Sequence, residues 1–314
     1  MTLVQLEYVL AVAEYKNFTL AADKSFVTQP TLSMQIQKLE KELDIEIFDR
    51  SSHPIQLTKI GEKVVEQAKV ILKEAKRMPQ LIHEEKGLME GSFNIGVIPT
   101  MLPTLVPLFY KTFQEKHPKT NLVIRELQTD EIIKRLNDGT LDFGLVVTPL
   151  HEEQIVERNL FYEPLVAYVP PYHPLHSQST LSKNDLNIDD ILLLKEGHCF
   201  RNNVMNLCEA AKLNNQSLKL DSGSLYTLIK LADEGYGFTL LPALHADDLT
   251  PEQQKNIRYF NDPIPTREVS LIYHKTNLRK SFEESLIETI QSVIRGKIFI
   301  DKVNNVTSPL LSIA

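Results

Sequence analysis

Two cysteines, Cys199 and Cys208, are the only thiols in a chain of 314 residues. The first sits in Gly197-His198-Cys199-Phe200-Arg201 and the second follows Leu207. A thiol of ordinary pKa is only about 3% thiolate at pH 7, and the thiolate is the nucleophile. A cation such as Arg201 next door, with His198 beside it, favours the charged form and raises reactivity toward a peroxide. The same pair also fits a blander role as two small buried side chains, because free cysteine is among the most buried residue types. Val204, Leu207, Cys208 and Ala211 recur at helical spacing, which places Cys208 on the buried face of a helix. Were 199–208 helical throughout, steps of about 1.5 Å would hold the cysteines roughly 13 Å apart. A disulfide needs Cα atoms within about 7 Å. Any bond between the two therefore requires the helix to unwind and Cys208 to leave its core, which makes it a conformational switch.

Other chemistry is poorly supported. Glu84-Glu85 and Asp189-Asp190 read as solvated charge rather than acid–base pairs. No His-x-x-x-His spacing occurs, and two thiols do not complete a four-ligand zinc site, so neither metal nor cofactor is expected. Gly235-Tyr236-Gly237 reads as a turn before a strand, without the context of a dinucleotide fingerprint. Hydrophobic residues at 42% and charged residues at 24% describe an ordinary globular chain. No apolar run approaches the roughly 20 residues that span a bilayer, and the N-terminus has no basic secretory n-region. Few cysteines fit a reducing cytoplasm, where a structural disulfide is not expected. A net charge of −7 argues against a generally basic nucleic-acid coat.

The elements that must position these residues begin with helices. Leu3, Leu6, Val9, Leu10 and Ala13 give an amphipathic first helix, and Asn17-Phe18-Thr19 offers a cap to the second. Thr28 caps a third helix with Pro30 in its first turn and Leu32, Ile36, Leu39 and Leu43 as its buried stripe. Thr31, Ser33, Gln35 and Lys38 point elsewhere, the arrangement of a helix-turn-helix. Segments 47–50 and 55–58 bracket a turn and read as a β-wing. From about Gly61 to Glu85 a long helix carries the heptad seam Val65, Ala68, Leu72, Ala75 and Ile82, which calls for a partner helix, with Pro79 set to kink or end the pairing. Beyond a hinge at 87–91, strands at 93–98, 122–124, 142–147, 165–169, 191–194, 218–220, 238–241 and 269–273 alternate with helices at 102–116, 130–137, 201–212, 224–234 and 279–294. This alternation predicts a parallel-rich α/β sensor domain of two lobes with a cleft between them.

Residues 1–60 carry six basic and eight acidic side chains, which is no basic footprint. Their spacing says more than their charge. Ala21-Ala22, Val27, Gln29-Pro30-x-Leu32-Ser33-x-Gln35-Ile36-x-x-Leu39-Glu40, Phe48-x-Arg50 and Leu57-Thr58-x-x-Gly61 closely resemble the winged helix-turn-helix of LysR-type transcription regulators. The resemblance implies a DNA-binding domain at 1–58, a linker and dimerisation helix at 59–90 and a periplasmic-binding-protein-like sensor domain at 91–314. Lobe I would span about 91–161 and 268–314, and lobe II about 162–267. Gln29, Pro30, Thr31, Ser33 and Lys38 would face DNA, and Arg50 would grip its backbone. His53 stands where a second wing arginine is common, which predicts a weaker phosphate clamp, and Ile60 stands where alanine is common.

Within that family the chain looks like the hydrogen-peroxide sensors from Leu6 to about Val293. The matches include Gly96-Val97-Ile98-Pro99-Thr100, Gln128-Thr129, the two cysteine segments and Gly237-Phe238-Thr239-Leu240-Leu241-Pro242-Ala243-Leu244. The resemblance implies that Cys199 is the peroxidatic thiolate and Cys208 the resolving thiol. Thr100, Thr129 and His198 would line the peroxide pocket, with Arg201 and Arg267 supporting its negative charge. Glu196, Phe200 and Asn202 depart from the family's usual residues without removing a polar group from that centre. Further implied are a homotetramer built as a dimer of dimers, promoter DNA and RNA polymerase as partners, and resetting by a cellular thiol reductant. The alternative is a regulator whose cleft takes a small organic metabolite and whose cysteines are incidental. After Gly296, the residues Ile298, Phe299, Ile300 and Val303 suggest an additional packing segment.

Overall fold

The computed structural model describes residues 1–52, 54–85, 89–208, 222–298 and 307. His53, the Gly87-Leu88 part of the hinge, the expected strand at 218–220 and the expected helix extension over 209–212 lie outside these residues, as do Phe299, Ile300 and Val303. The chain forms two compact units, 1–86 and 87–314.

In the first unit, α1 (Leu3–Tyr15) starts from a capping box between Thr2 and Gln5, and α2 (Phe18–Lys24) is capped by the Asn17 side chain. α3 (Gln29–Leu43) begins at the Thr28 cap with proline in its first turn and ends at Asp44 in a left-handed conformation, φ 53°. Strands β1 (Phe48–Asp49) and β2 (Gln56–Leu57) form the antiparallel wing, and α4 (Lys59–Glu85) follows and stays helical past Pro79 instead of ending there. Gly61 is required here, because a Cβ at that position would stand 2.1 Å from the carbonyl oxygen of Ile47. Two expectations need correcting. The buried face of α1 is Gln5, Leu6, Val9 and Val12, whereas Leu3 is exposed, because Gln5 turns inward to bond Gln35 on α3. Val65, Ala68 and Leu72 are buried in the core that α1 and α3 build, so the first half of the α4 seam is satisfied within its own unit. Only its continuation, with Met78 and Ile82 exposed, is left for a partner helix.

The second unit holds β3 (Gly91–Val97), α5 (Leu102–Lys116), β4 (Thr120–Glu126), α6 (Thr129–Asn137), β5 (Phe143–Thr148), β6 (Ile155–Tyr168), β7 (Thr180–Leu181), α7 (Cys199–Leu207), α8 (Leu225–Asp233), β8 (Thr239–Pro242), α9 (Ala243–Asp247), α10 (Pro251–Gln254), β9 (Ile257–Phe260), β10 (Thr266–His274) and α11 (Lys280–Ile294). The strand order is β4-β3-β5-β10-β6-β9-β7, with β8 also paired to β6. Pairing is parallel for β3–β4, β3–β5 and β7–β9 and antiparallel for the other ladders among the described residues, so the sheet is mixed rather than parallel-rich. The expected strand at 191–194 reduces to a single bridge from Ile191 to Phe238.

Two long antiparallel strands make the domain two-lobed. β6 pairs with β10 over its first part and with β8 and β9 over its last, so it leaves one core and enters the other. Lobe I packs around Phe93, Phe109, Phe113, Phe143 and the α11 stripe Phe282, Leu286, Ile290 and Ile294. Lobe II packs around Leu165 to Val169, Phe200, Val204, Leu207, Leu228 and Phe238. Burying such stripes at roughly 25 cal/mol per Å² is what holds each lobe together.

Candidate functional site

Where β6 and β10 pair at the lobe crossing, Arg267 stands opposite Glu163 and both side chains are 1% exposed. The guanidinium donates from Nε and Nη2 to Glu163 Oε2 at 2.8 and 2.7 Å, from Nη1 to Thr100 Oγ1 at 2.9 Å and from Nη2 to the Thr100 carbonyl at 3.2 Å. Glu163 Oε1 accepts from the Leu244 backbone N–H at 3.0 Å. The Arg267 Cζ also lies 5.5 Å from the Phe200 ring centre. A buried ion pair persists only when its remaining donors and acceptors are met, and this one ties β6, β10, α7, α9 and the segment between β3 and α5 together.

Cys199 opens α7, with His198 as the preceding cap residue, and packs against the lobe I core. Gly197 precedes it with φ +87°, a conformation that a side chain rarely adopts. Burial pushes the Cys199 thiol up, opposed first by the positive charge of Arg267, then by a hydrogen bond from the Thr129 hydroxyl and by the N–H groups of Phe200 and Cys199 itself. The donors that favour a thiolate thus come from β10, from the start of α6 and from the start of α7, where the helix dipole also favours negative charge. Because burial prevails, the resting residue is a thiol whose ionisation these donors are placed to assist.

Cys208 caps the other end of α7, its N–H bonded to the Val204 carbonyl. It packs against the lobe II core, and burial raises its pKa to about 11. Both cysteines are free.

The adjacent groups behave differently from expectation. Arg201 donates from Nη1 to the Leu194 carbonyl at 3.0 Å, and the charge that acts on the thiol comes from elsewhere. The charge beside Cys199 is therefore that of Arg267. His198 is 6% exposed, and burial followed by the Lys195 charge lowers its pKa, against the pull of Glu126, so at pH 7 it is neutral. Thr100 reaches the centre through Arg267, while Thr129 bonds the thiol directly. Glu163 went unnoticed in the sequence, since its partner is 104 positions away. Beside this hub a cleft of about 400 Å³ is lined by Thr100, Thr104, Glu126, Tyr226, His245 and Asp248, among others. Among the described residues, no group of three or more His, Cys, Asp or Glu is placed to hold a metal ion.

In the first unit, Gln29, Pro30, Thr31 and Lys38 are exposed on α3, with Ser33 half-buried. Thr31 Oγ1 lies 2.8 Å from Thr28 Oγ1. Arg50 donates from Nη2 to Glu40 Oε2 at 2.8 Å and stacks 5.3 Å over the Phe18 ring, so it braces the wing root against α2 and α3. Asp49 accepts from the hydroxyls and backbone of the wing turn at Ser51 and Ser52, which lowers its pKa to about 2.

Residues 3–62 match the bacterial regulatory helix-turn-helix protein family of lysR type, and residues 86–295 match the LysR substrate binding domain. The chain belongs to the LysR family of helix-turn-helix regulators. Its relatives include the DNA-binding transcriptional dual regulator OxyR of Escherichia coli K12, 33% identical over 310 residues covering 96% of this chain and 98% of that protein. A full-length cysteine variant of OxyR from Pseudomonas aeruginosa is similar in structure, with TM-score 0.73 and 31% identity over 93% of this chain and 98% of that one. A peroxide-bound cysteine variant of OxyR from Corynebacterium glutamicum gives TM-score 0.62 and 27% identity over 97% and 98% of the two chains.

Proposed function

We propose that this chain is a peroxide-responsive transcription regulator of the cytoplasm, switched by a reversible Cys199–Cys208 disulfide. The observation that carries this reading is the convergence of Arg267, Thr129 and the first N–H groups of α7 on one thiol, with the second thiol at the far end of the same helix. The Cys199 thiolate attacks one peroxide oxygen, the O–O bond breaks, and the departing hydroxide takes up a proton to leave as water. The Cys208 sulfur then attacks the sulfenic sulfur, the S–O bond breaks, and the hydroxyl leaves with the Cys208 proton as a second water, which forms the disulfide. Two electrons from a cellular thiol reductant restore both thiols. The chemistry is stoichiometric, so the protein is a sensor rather than an enzyme.

Since α7 must unwind for the sulfurs to meet, oxidation changes the surface that the sensor offers to other subunits. In a homotetramer of paired dimers, that change would alter how the heads sit along promoter DNA and meet RNA polymerase. Gln29, Pro30, Thr31, Ser33 and Lys38 would read the DNA, and Arg50 would hold the wing that meets its backbone.

The cleft beside Thr100 favours the alternative of a metabolite-responsive regulator. Its lining, however, carries the carboxylates of Glu126 and Asp248 and a His245 held neutral, with a pKa lowered to about 3, which is poorly suited to an organic anion. Thiol labelling with mass analysis before and after a low dose of peroxide, paired with footprinting, tests the proposal. Cys199→Ser should abolish the peroxide response, whereas a surviving ligand response would favour the alternative, and steady peroxide turnover would indicate a peroxidase.

A further inference from the structure

α7 has nine residues, fewer than the roughly 12–15 an isolated helix needs, and three of them are asparagines, which are weak helix formers. Its persistence therefore depends on tertiary anchors. Phe200, Val204 and Leu207 supply apolar anchors in the lobe II core. A buried polar anchor is Asn203, one helical turn beyond Cys199, whose Nδ2 donates to the Thr307 carbonyl at 3.0 Å. Thr307 is 5% exposed, although it lies well beyond residue 295, where the match to the family's sensor domain ends. It is fixed in turn to β10. Its N–H donates to the Thr266 carbonyl at 2.7 Å and its hydroxyl to the same carbonyl at 3.0 Å. Thr266 adjoins Arg267, the charge beside Cys199. A residue of the C-terminal segment thus bridges the strand that serves the thiol and the helix that carries it.

We propose that Asn203 and Thr307 form a latch that holds α7 helical in the reduced protein, so that this contact sets how readily Cys199 and Cys208 meet. Both are positioning residues. This inference rests on the disulfide switch proposed above. When α7 unwinds, the Asn203 side chain must leave the Thr307 carbonyl. The Asn203 Oδ1 already has no partner among the described residues, so losing the acceptor of its Nδ2 leaves the buried amide less satisfied still and weakens the helical state.

The test compares the full-length protein with Asn203→Val, which keeps a similar helix propensity, and with Thr307→Pro, which removes the N–H bonded to Thr266. A chain ending at Asn305 provides a further variant should either substitution fail to fold. In the reduced protein, alkylation of Cys208 should be about five- to tenfold faster in each variant. The disulfide should be favoured by the same factor, a tenfold shift being about 30 mV more negative in reduction potential. The double variant should be no faster than the singles, because both break one linkage. Unchanged alkylation and potential, or effects that add, would overturn the latch. If the parent protein forms no Cys199–Cys208 disulfide, the switch itself fails, and Cys208 alkylation in the reduced protein still decides whether the latch exists.

Discussion

Cys199 and Cys208 stand at the two ends of one helix and pack into different cores, the first against lobe I and the second against lobe II. A regular helix of that length holds them roughly 13 Å apart, so a sulfur–sulfur bond and the reduced fold exclude each other. The apolar residues between them, Phe200, Val204 and Leu207, are buried in lobe II, and oxidation must displace the segment they anchor.

Thr129 should matter to rate more than to stability. The residue is half-buried and its hydroxyl bonds the Cys199 sulfur. Thr129→Val removes a donor that favours the thiolate, and a hydrogen bond to a charged group contributes about 1.5–3 kcal/mol. Stopped-flow peroxide kinetics at pH 7 should show a loss of at least tenfold with little change in melting temperature.

Arg267 should matter to both. Arg267→Met strands the Glu163 carboxylate in a dry crossing, at a cost of about 3–5 kcal/mol. It also removes the largest influence opposing burial at the Cys199 thiol, so oxidation should slow. Adding Glu163→Gln should recover part of the stability and none of the rate, as read by chemical denaturation and peroxide kinetics.

Cys208 should report its burial through pH. With its pKa raised from 9.0 to about 11, it carries at neutral pH about a hundredfold less thiolate than an unperturbed thiol. Alkylation of Cys208 in a Cys199→Ser background should therefore climb about tenfold per pH unit and keep climbing beyond pH 9. A plateau by pH 9 would show that the thiol is not shielded.

His245 should shape the acid limb of stability. Burial first, then the Arg267 charge, holds its pKa down at about 3 against 6.5 for the free group. A depressed pKa gives stability that is present above the unfolded value and lost as pH falls toward the folded one. Between neutrality and pH 5 this amounts to about 2 kcal/mol, at 1.4 kcal/mol per unit. His245→Gln should flatten the dependence of melting temperature on pH in that window.

Much of this architecture was legible in local pattern. The pattern gives α5 to the residue, and β5, α8 and α11 nearly so, because their apolar spacing is regular. The 155–164 part of β6 does not read as a strand because Glu157, Arg158, Asn159 and Pro164 interrupt its apolar residues, and only pairing with β10 makes it one. The same non-local pairing explains the site. Both cysteines and Thr129 are recognisable, but Glu163 meets Arg267 only through strand register, and Thr307 meets Asn203 across 104 positions of chain. Adjacency in sequence points Arg201 at the thiol, whereas its guanidinium bonds the Leu194 carbonyl.

The most direct measurement is amide hydrogen exchange across Arg201–Cys208, comparing reduced protein with protein in which mass analysis has verified the Cys199–Cys208 bond. The expected result is protected amides in the reduced form and loss of that protection once the sulfurs are joined. Equal protection in the two forms, with the bond present, would contradict the claim that oxidation remodels the sensor.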